Sequence, residues 1–199
     1  FGVVTPLDNR PHHECLLIIE QLFANATPDD LVLFYYSGHG LLDTRNSLHF
    51  ACSNTDRRYL ASTSIPWMIV QNILDRSRAR QKILILDCCN SGTNEGLTFA
   101  KGDVESQASA LENQLSVTGT HILAASRAME EAKELKNAEF SVMTTHLING
   151  IETGDADRDR DGKIGMVECG LYVQECTAAT GEQTPVNHHI GVVHETYIA

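Results

Sequence analysis

The sequence is short of basic residues. Lysine and arginine number 15 against 26 acids, giving a net charge of −11 and a pI near 5.2. No basic face is evident, so nucleic acid is not an expected partner. The acidic balance suits cationic peptides or divalent metals instead. No apolar run approaches the ~20 residues of a membrane span. No signal peptide is visible. The six cysteines (Cys15, Cys52, Cys88, Cys89, Cys169 and Cys176) follow neither a disulfide framework nor a zinc pattern. Adjacent Cys88 and Cys89 cannot easily pair with each other, and the expectation is a reducing cytoplasm. No internal repeat is apparent. At 199 residues and 42% hydrophobic composition, one domain, or one domain plus an appendage, can bury a full core.

Two stretches share one grammar. Residues 82–86 run apolar into Asp87-Cys88-Cys89-Asn90-Ser91-Gly92, and residues 31–36 run apolar and aromatic into Ser37-Gly38-His39-Gly40. A continuous apolar run bounded by turn residues reads as a buried parallel strand. Ligands of open α/β sheets bind beyond the carboxyl ends of such strands. One strand thus delivers a histidine to the sheet edge and the other a pair of thiols. Thiol chemistry needs a cysteine and a base that meet in space, not in sequence.

The two motifs, in this order and each ending a strand, resemble those of the caspase-like cysteine peptidases, and among them the metacaspases and bacterial caspase homologues. The resemblance extends to the acidic segment near 155 and to Gln183-Thr184-Pro185. It implies a caspase-like α/β/α sandwich with a mostly parallel central sheet. It also implies a further strand at the family's N-terminal end that is absent from this sequence, which opens on Phe1. Residues 1–199 then form one peptidase domain: 1–92 resembles the large subunit, 93–120 a mobile linker and 121–199 the small subunit.

By the same resemblance Cys89 is the nucleophile, His39 the general acid/base, and Gly40 and Cys89 supply oxyanion N–H donors. The chemistry agrees. An imidazole beside a thiol makes a better nucleophile and can later protonate the leaving amine, and two N–H donors stabilise the developing charge. Cys88 is the rival nucleophile, but alternation along an extended chain sends it to the opposite face from Asp87 and Cys89. Caspases that cut after aspartate carry Gln two residues before the cysteine and Arg after it; here these positions are Asp87 and Asn90. An acidic floor repels an acidic side chain and pairs with Arg or Lys. The resemblance places Asp87 and Ser37 in that substrate pocket, with Asp87 as a loop cap the alternative. If basic residues are preferred, Lys101 is the expected self-cleavage point, since it is the only basic residue of the linker.

Asp157 begins a second motif. Asp157, Asp159 and Asp161 stand at positions one, three and five, Gly162 at six, Lys163 at seven and Glu168 at twelve. That is the spacing of an EF-hand loop over 157–168, with a backbone carbonyl from Lys163 and both carboxylate oxygens from Glu168. Ca²⁺ is the ion such hard oxygen ligands would hold. Arg158 and Arg160 interleave the acids, and a metal-free acidic turn stays open.

Periodicity predicts helices over 12–24, from Ser64 and Pro66 onward with Trp67, Val70, Ile73 and Leu74 buried, over 140–151 with Phe140 in register, and over 167–179. It predicts further strands over 48–52, 121–125 and 190–198. Arg76, Arg78, Arg80 and Lys82 read as a solvated helix end, and Cys15, His49, His121 and His146 as structural. His188, His189 and His194 form a loose cluster without metal-ligand spacing. The reading is a cysteine endopeptidase that needs no cofactor for its chemistry, with basic protein or peptide substrates. A catalytically inactive homologue serving as an interaction module, or a calcium-binding regulatory domain, are the alternatives.

Overall fold

A computed structural model of the chain describes residues 2–90, 119–125, 140–180, 185–192 and 195–199, the side chains of Cys89 and Asn90 excepted. In chain order these hold α1 (His12–Asn25), β1 (Leu31–Leu42), β2 (Leu48–Phe50), a 3-10 turn (Arg57–Tyr59) leading into α2 (Leu60–Thr63), and β3 (Ile65–Pro66). Then come α3 (Trp67–Arg76), β4 (Gln81–Asn90), β5 (Thr120–Ala124), α4 (Val142–Thr153), α5 (Met166–Ala179) and β6 (Val186–Ile190). The strands make one six-stranded sheet in the order β3-β2-β1-β4-β5-β6. The three central strands β1, β4 and β5 run parallel, while β2, β3 and β6 attach antiparallel towards the edges.

The alternation of β4 explains the layering. Leu84 and Leu86 pack with Cys15, Ile19 and Phe23 of α1 and with Trp67, Val70 and Leu74 of α3. Ile83 and Ile85 pack on the other face with Met143 and Leu147 of α4 and Cys169 and Val173 of α5. A strand apolar at every position is what a sheet covered on both faces requires. The result is the expected α/β/α sandwich. Cys15 is core packing, 7% exposed, as read from the sequence. Ser77, just beyond α3, donates its hydroxyl to the Phe23 carbonyl at 2.9 Å and ties the two helices of that layer together.

Several boundaries differ from the sequence reading. Ser37-Gly38-His39-Gly40 does not follow β1 but lies within it, because β2 pairs antiparallel with Gly40, Leu41 and Leu42 and prolongs the strand. Ser64 does not open α3. It precedes the short strand Ile65–Pro66, its hydroxyl bonds the Leu60 carbonyl and the His49 ring, and the helix starts at Trp67. Phe140 lies outside α4 and is 47% exposed; Ser141 is the N-cap, its hydroxyl accepting from the Thr144 N–H. Lys82 is not part of a solvated helix end. It is the second residue of β4, it is buried, and burial pushes its ammonium pKa down, with the Asp75 charge opposing.

The last strand is Val186–Ile190, not 190–198. Its polar residues Asn187, His188 and His189 hid it, but antiparallel pairing to β5 at the sheet edge tolerates them. Residues 196–199 instead cross the acidic loop. The Ile164 N–H donates to the Ala199 carbonyl at 2.7 Å, and the Ile198 N–H to the Ile164 carbonyl at 2.9 Å. Among the described residues no helix is long and apolar enough to cross a membrane. The expected linker lies outside the described residues apart from its last two positions, and Lys101 and His194 lie outside them entirely.

Candidate active site

β1 and β4 pair in parallel from Leu31↔Gln81 to Gly40↔Asn90, which sets Ser37 opposite Asp87, Gly38 opposite Cys88 and His39 opposite Cys89. Register partners on adjacent strands are about 4.8 Å apart. The two sequence motifs therefore meet position for position, both at the carboxyl ends of central strands. His39 is exposed to solvent. Cys88 packs with Leu84, Leu86 and Tyr36 in the α1/α3 core, the opposite face from the one that Asp87 addresses.

Asp87 is the most elaborately held side chain near the site. It is 8% exposed. Its Oδ2 accepts hydroxyl hydrogen bonds from Thr144 at 2.6 Å, from Ser141 at 2.7 Å and from Tyr35 at 3.3 Å. Tyr35 and Thr144 also share a hydroxyl contact at 3.1 Å. Burial is the main cause that raises the Tyr35 phenol pKa, and the Asp87 charge adds to it. Ser141 serves twice. It accepts from the Thr144 N–H to cap α4 and donates its own hydroxyl hydrogen bond to Asp87. The carboxylate thus faces the N-terminus of α4, where helix dipole and hydroxyls favour negative charge. Among the described residues no lysine or arginine forms an ion pair with it.

The sequence reading named Asp87 and Ser37 as pocket candidates and did not foresee the Tyr35, Ser141 and Thr144 hydroxyls that bond Asp87. Recognising Ser141, rather than Phe140, as the opening of the helix would have been the signal for two of them. Ser37 stands opposite Asp87 in the register and is exposed. Gly40 is buried and sits between β2 and β4, opposite Phe50 and Asn90.

The acidic loop brings together part of the residue set read from its spacing. Carboxylate oxygens of Asp157, Asp159 and Asp161 lie within 4.8 Å of one another. Asp157 accepts from the Asp161 and Gly162 N–H groups, and Gly162 takes φ +85°, a value that favours glycine. Glu168 does not join that cluster. Its two oxygens accept from the Arg158 and Gly165 N–H groups, both at 2.7 Å. Lys163 donates its N–H to Asp161 at 2.8 Å. Arg158 does not neutralise the loop acids; its ion pair goes to Glu175 on α5 at 2.9 Å.

Elsewhere, His49 is buried against Ser64 at 2.9 Å and 3.8 Å from Asp43, a structural role. His121 is fully buried, and its Nδ1 meets Nδ1 of His189 at 2.8 Å.

No curated protein matches the chain. Among solved structures it is similar to protein GSU0716 from Geobacter sulfurreducens, with a TM-score of 0.57 at 14% identity, covering 98% of this chain and 79% of that one. At that identity the likeness speaks for the fold alone. A family model described as the caspase domain matches residues 3–185, both motif strands and the acidic loop included. With that span matched and the sandwich in place, the chain belongs to the caspase-domain family.

Proposed function

We propose that the chain is a cysteine endopeptidase with a His39–Cys89 dyad that cuts after arginine or lysine. The observation that carries the reading is the β1–β4 register, in which His39 and Cys89 are partners at the ends of two central strands. His39 takes the thiol proton and returns it to the leaving amine. The backbone N–H groups of Gly40 and Cys89 receive the oxyanion. Asp87, with Ser37 beside it, receives the basic side chain. What supports this is a buried carboxylate supplied with hydroxyl donors but, among the described residues, with no protein cation.

Fluorogenic peptides ending in Arg, Lys or Asp, assayed on wild type and single variants, test the reading. Cys89→Ala and His39→Ala should each lower kcat/KM by at least ~10³-fold with the melting temperature kept. Cys88→Ala should retain most activity. Substantial turnover by Cys89→Ala overturns the dyad. A wild type inert on every peptide, calcium present or not, favours the interaction module.

A second element of the proposal is that the 157–168 loop binds Ca²⁺. The convergence of Asp157, Asp159 and Asp161 favours it. On binding, Lys163 contributes its carbonyl, and Glu168 exchanges its backbone N–H partners for the ion.

A further inference from the structure

Tyr36 precedes the histidine motif and faces away from it. Its ring packs in the α1/α3 core, 4.6 Å between centroids from Phe50. Its hydroxyl reaches along β1 to the His39 carbonyl at 3.0 Å and the Ala51 carbonyl at 2.9 Å. A phenol has one proton, so the two carbonyls share it. The His39 carbonyl also accepts from the Ala51 N–H at 3.0 Å. This one carbonyl is therefore held by two donors on the side of β1 that faces the end of β2.

The peptide group that follows is planar and trans. Its two ends are His39 C=O and Gly40 N–H, which point in opposite directions. Fixing the carbonyl towards Ala51 turns the Gly40 N–H towards β4, where Gly40 and Asn90 are register partners. We propose that Tyr36 is a positioning residue whose hydroxyl locks the His39–Gly40 peptide. It thereby sets the backbone from which the imidazole projects. The inference rests on the dyad reading and names the group that aims it.

Two observations accord with this. Gly38 lies two residues on, beneath the same ring. A Cβ there would stand 2.7 Å from the Tyr36 hydroxyl oxygen and 3.0 Å from its Cζ. The glycine is thus required for room, because the tyrosine lies across it. The phenol, moreover, is a permanent donor. Burial raises its pKa, and the thiols of Cys88 and Cys52 add to the effect, so it keeps its proton near neutral pH.

Tyr36→Phe keeps the ring and removes the hydroxyl. Two readouts are needed: kcat and KM on a basic peptide, and the pH profile of Cys89 alkylation by iodoacetamide, followed by peptide mass spectrometry. The second reports the thiol–imidazole pairing without any peptide substrate. The expected result is kcat lower by roughly ten- to a hundredfold, as for a displaced catalytic group, with KM within about twofold. The alkylation profile should move towards that of a free thiol. Gly38→Ala should show the same defect and add little to it in the Tyr36→Phe background, since both act through one hydroxyl. Should Tyr36→Phe match wild type in kcat and profile while Cys89→Ala is inactive, the positioning role is overturned and the dyad stands. Should wild type already alkylate as a free thiol, unchanged by His39→Ala, the dyad falls and this inference with it.

Discussion

Asp87 shows how much of a site one side chain can organise. A carboxylate buried to this degree must be satisfied, and each hydrogen bond to a charged group contributes about 1.5–3 kcal/mol. Ser141, Thr144 and Tyr35 supply them from α4 and β1. The same arrangement yields a prediction. Asp87→Asn keeps the shape and removes the charge, so cleavage after Arg and Lys should fall by roughly a hundredfold, mainly through KM. Ser141→Ala should cost about 1 kcal/mol of stability through the lost cap and a smaller share of the activity. A peptide panel in which Asp87→Asn leaves the basic preference untouched would remove Asp87 from the pocket. At this scale the sequence was legible where a motif was contiguous: His39, Cys89 and Asp87 each sit in one. Ser141 and Thr144 were not, because they lie more than fifty residues from Asp87 in the chain, and serine and threonine before a helix are too common to point anywhere. Lys82 misled for a related reason. A lysine beside three arginines looks solvated until the strand's alternation turns it inward.

Among the elements, β6 combines a short, polar sequence with a buried consequence. It pairs antiparallel with β5 and sets His189 against His121. One imidazole must donate and the other accept, so the contact tolerates one proton between the two Nδ1 atoms and not two. Burial pushes the His121 pKa down to about 4, and the neighbouring His189 adds to the effect. The unfolded chain, with an ordinary histidine pKa near 6.5, binds this proton more readily than the folded one. Stability is therefore full above about pH 6.5 and is lost as pH falls towards about 4, by up to about 3 kcal/mol. Thermal unfolding of wild type and His121→Met between pH 8 and 4 checks this: the variant should lose less stability over the acidic half of the range. Parallel slopes would assign the acid sensitivity to other groups. Helices α1, α3, α4 and α5 were legible from their periodicity and the central strands from their apolar runs, while the short α2 was not. The edge strand was not, since Asn187-His188-His189 carries no hydrophobic alternation, and its partner strand alone makes it a strand.

For the molecule as a whole, the acidic loop and the C-terminal residues act as one unit. Ile164 is buried and exchanges backbone hydrogen bonds with 198 and 199, while Glu195 accepts from the Val167 N–H at the start of α5. An ion held by Asp157, Asp159, Asp161, Lys163 and Glu168 would brace the α4–α5 connection and this segment together. A ligand selective for the folded state adds stability by mass action. Millimolar Ca²⁺ should therefore raise the melting temperature by several degrees, at about 2–4 °C per kcal/mol for a chain of this size. The Asp157→Ala, Glu168→Gln double variant should not respond. Titration calorimetry without heat, beside an unchanged melting temperature, would leave the loop as a metal-free turn.

The β1–β4 pairing carries a consequence in time. Every rung of it joins residues fifty positions apart in the chain, from Leu31↔Gln81 to Gly40↔Asn90. Such non-local pairings must close a long loop before any contact repays it, and they form slowly compared with local turns and helices. His39 and Cys89 are brought together only by this rung-by-rung closure. A chain still being synthesised, or one that has opened between β1 and β4, holds them on separate, unaligned segments. On the proposed dyad, the chemistry would switch on with the completed sheet and off with its first major opening, and half-folded copies would be poor agents for cutting their neighbours.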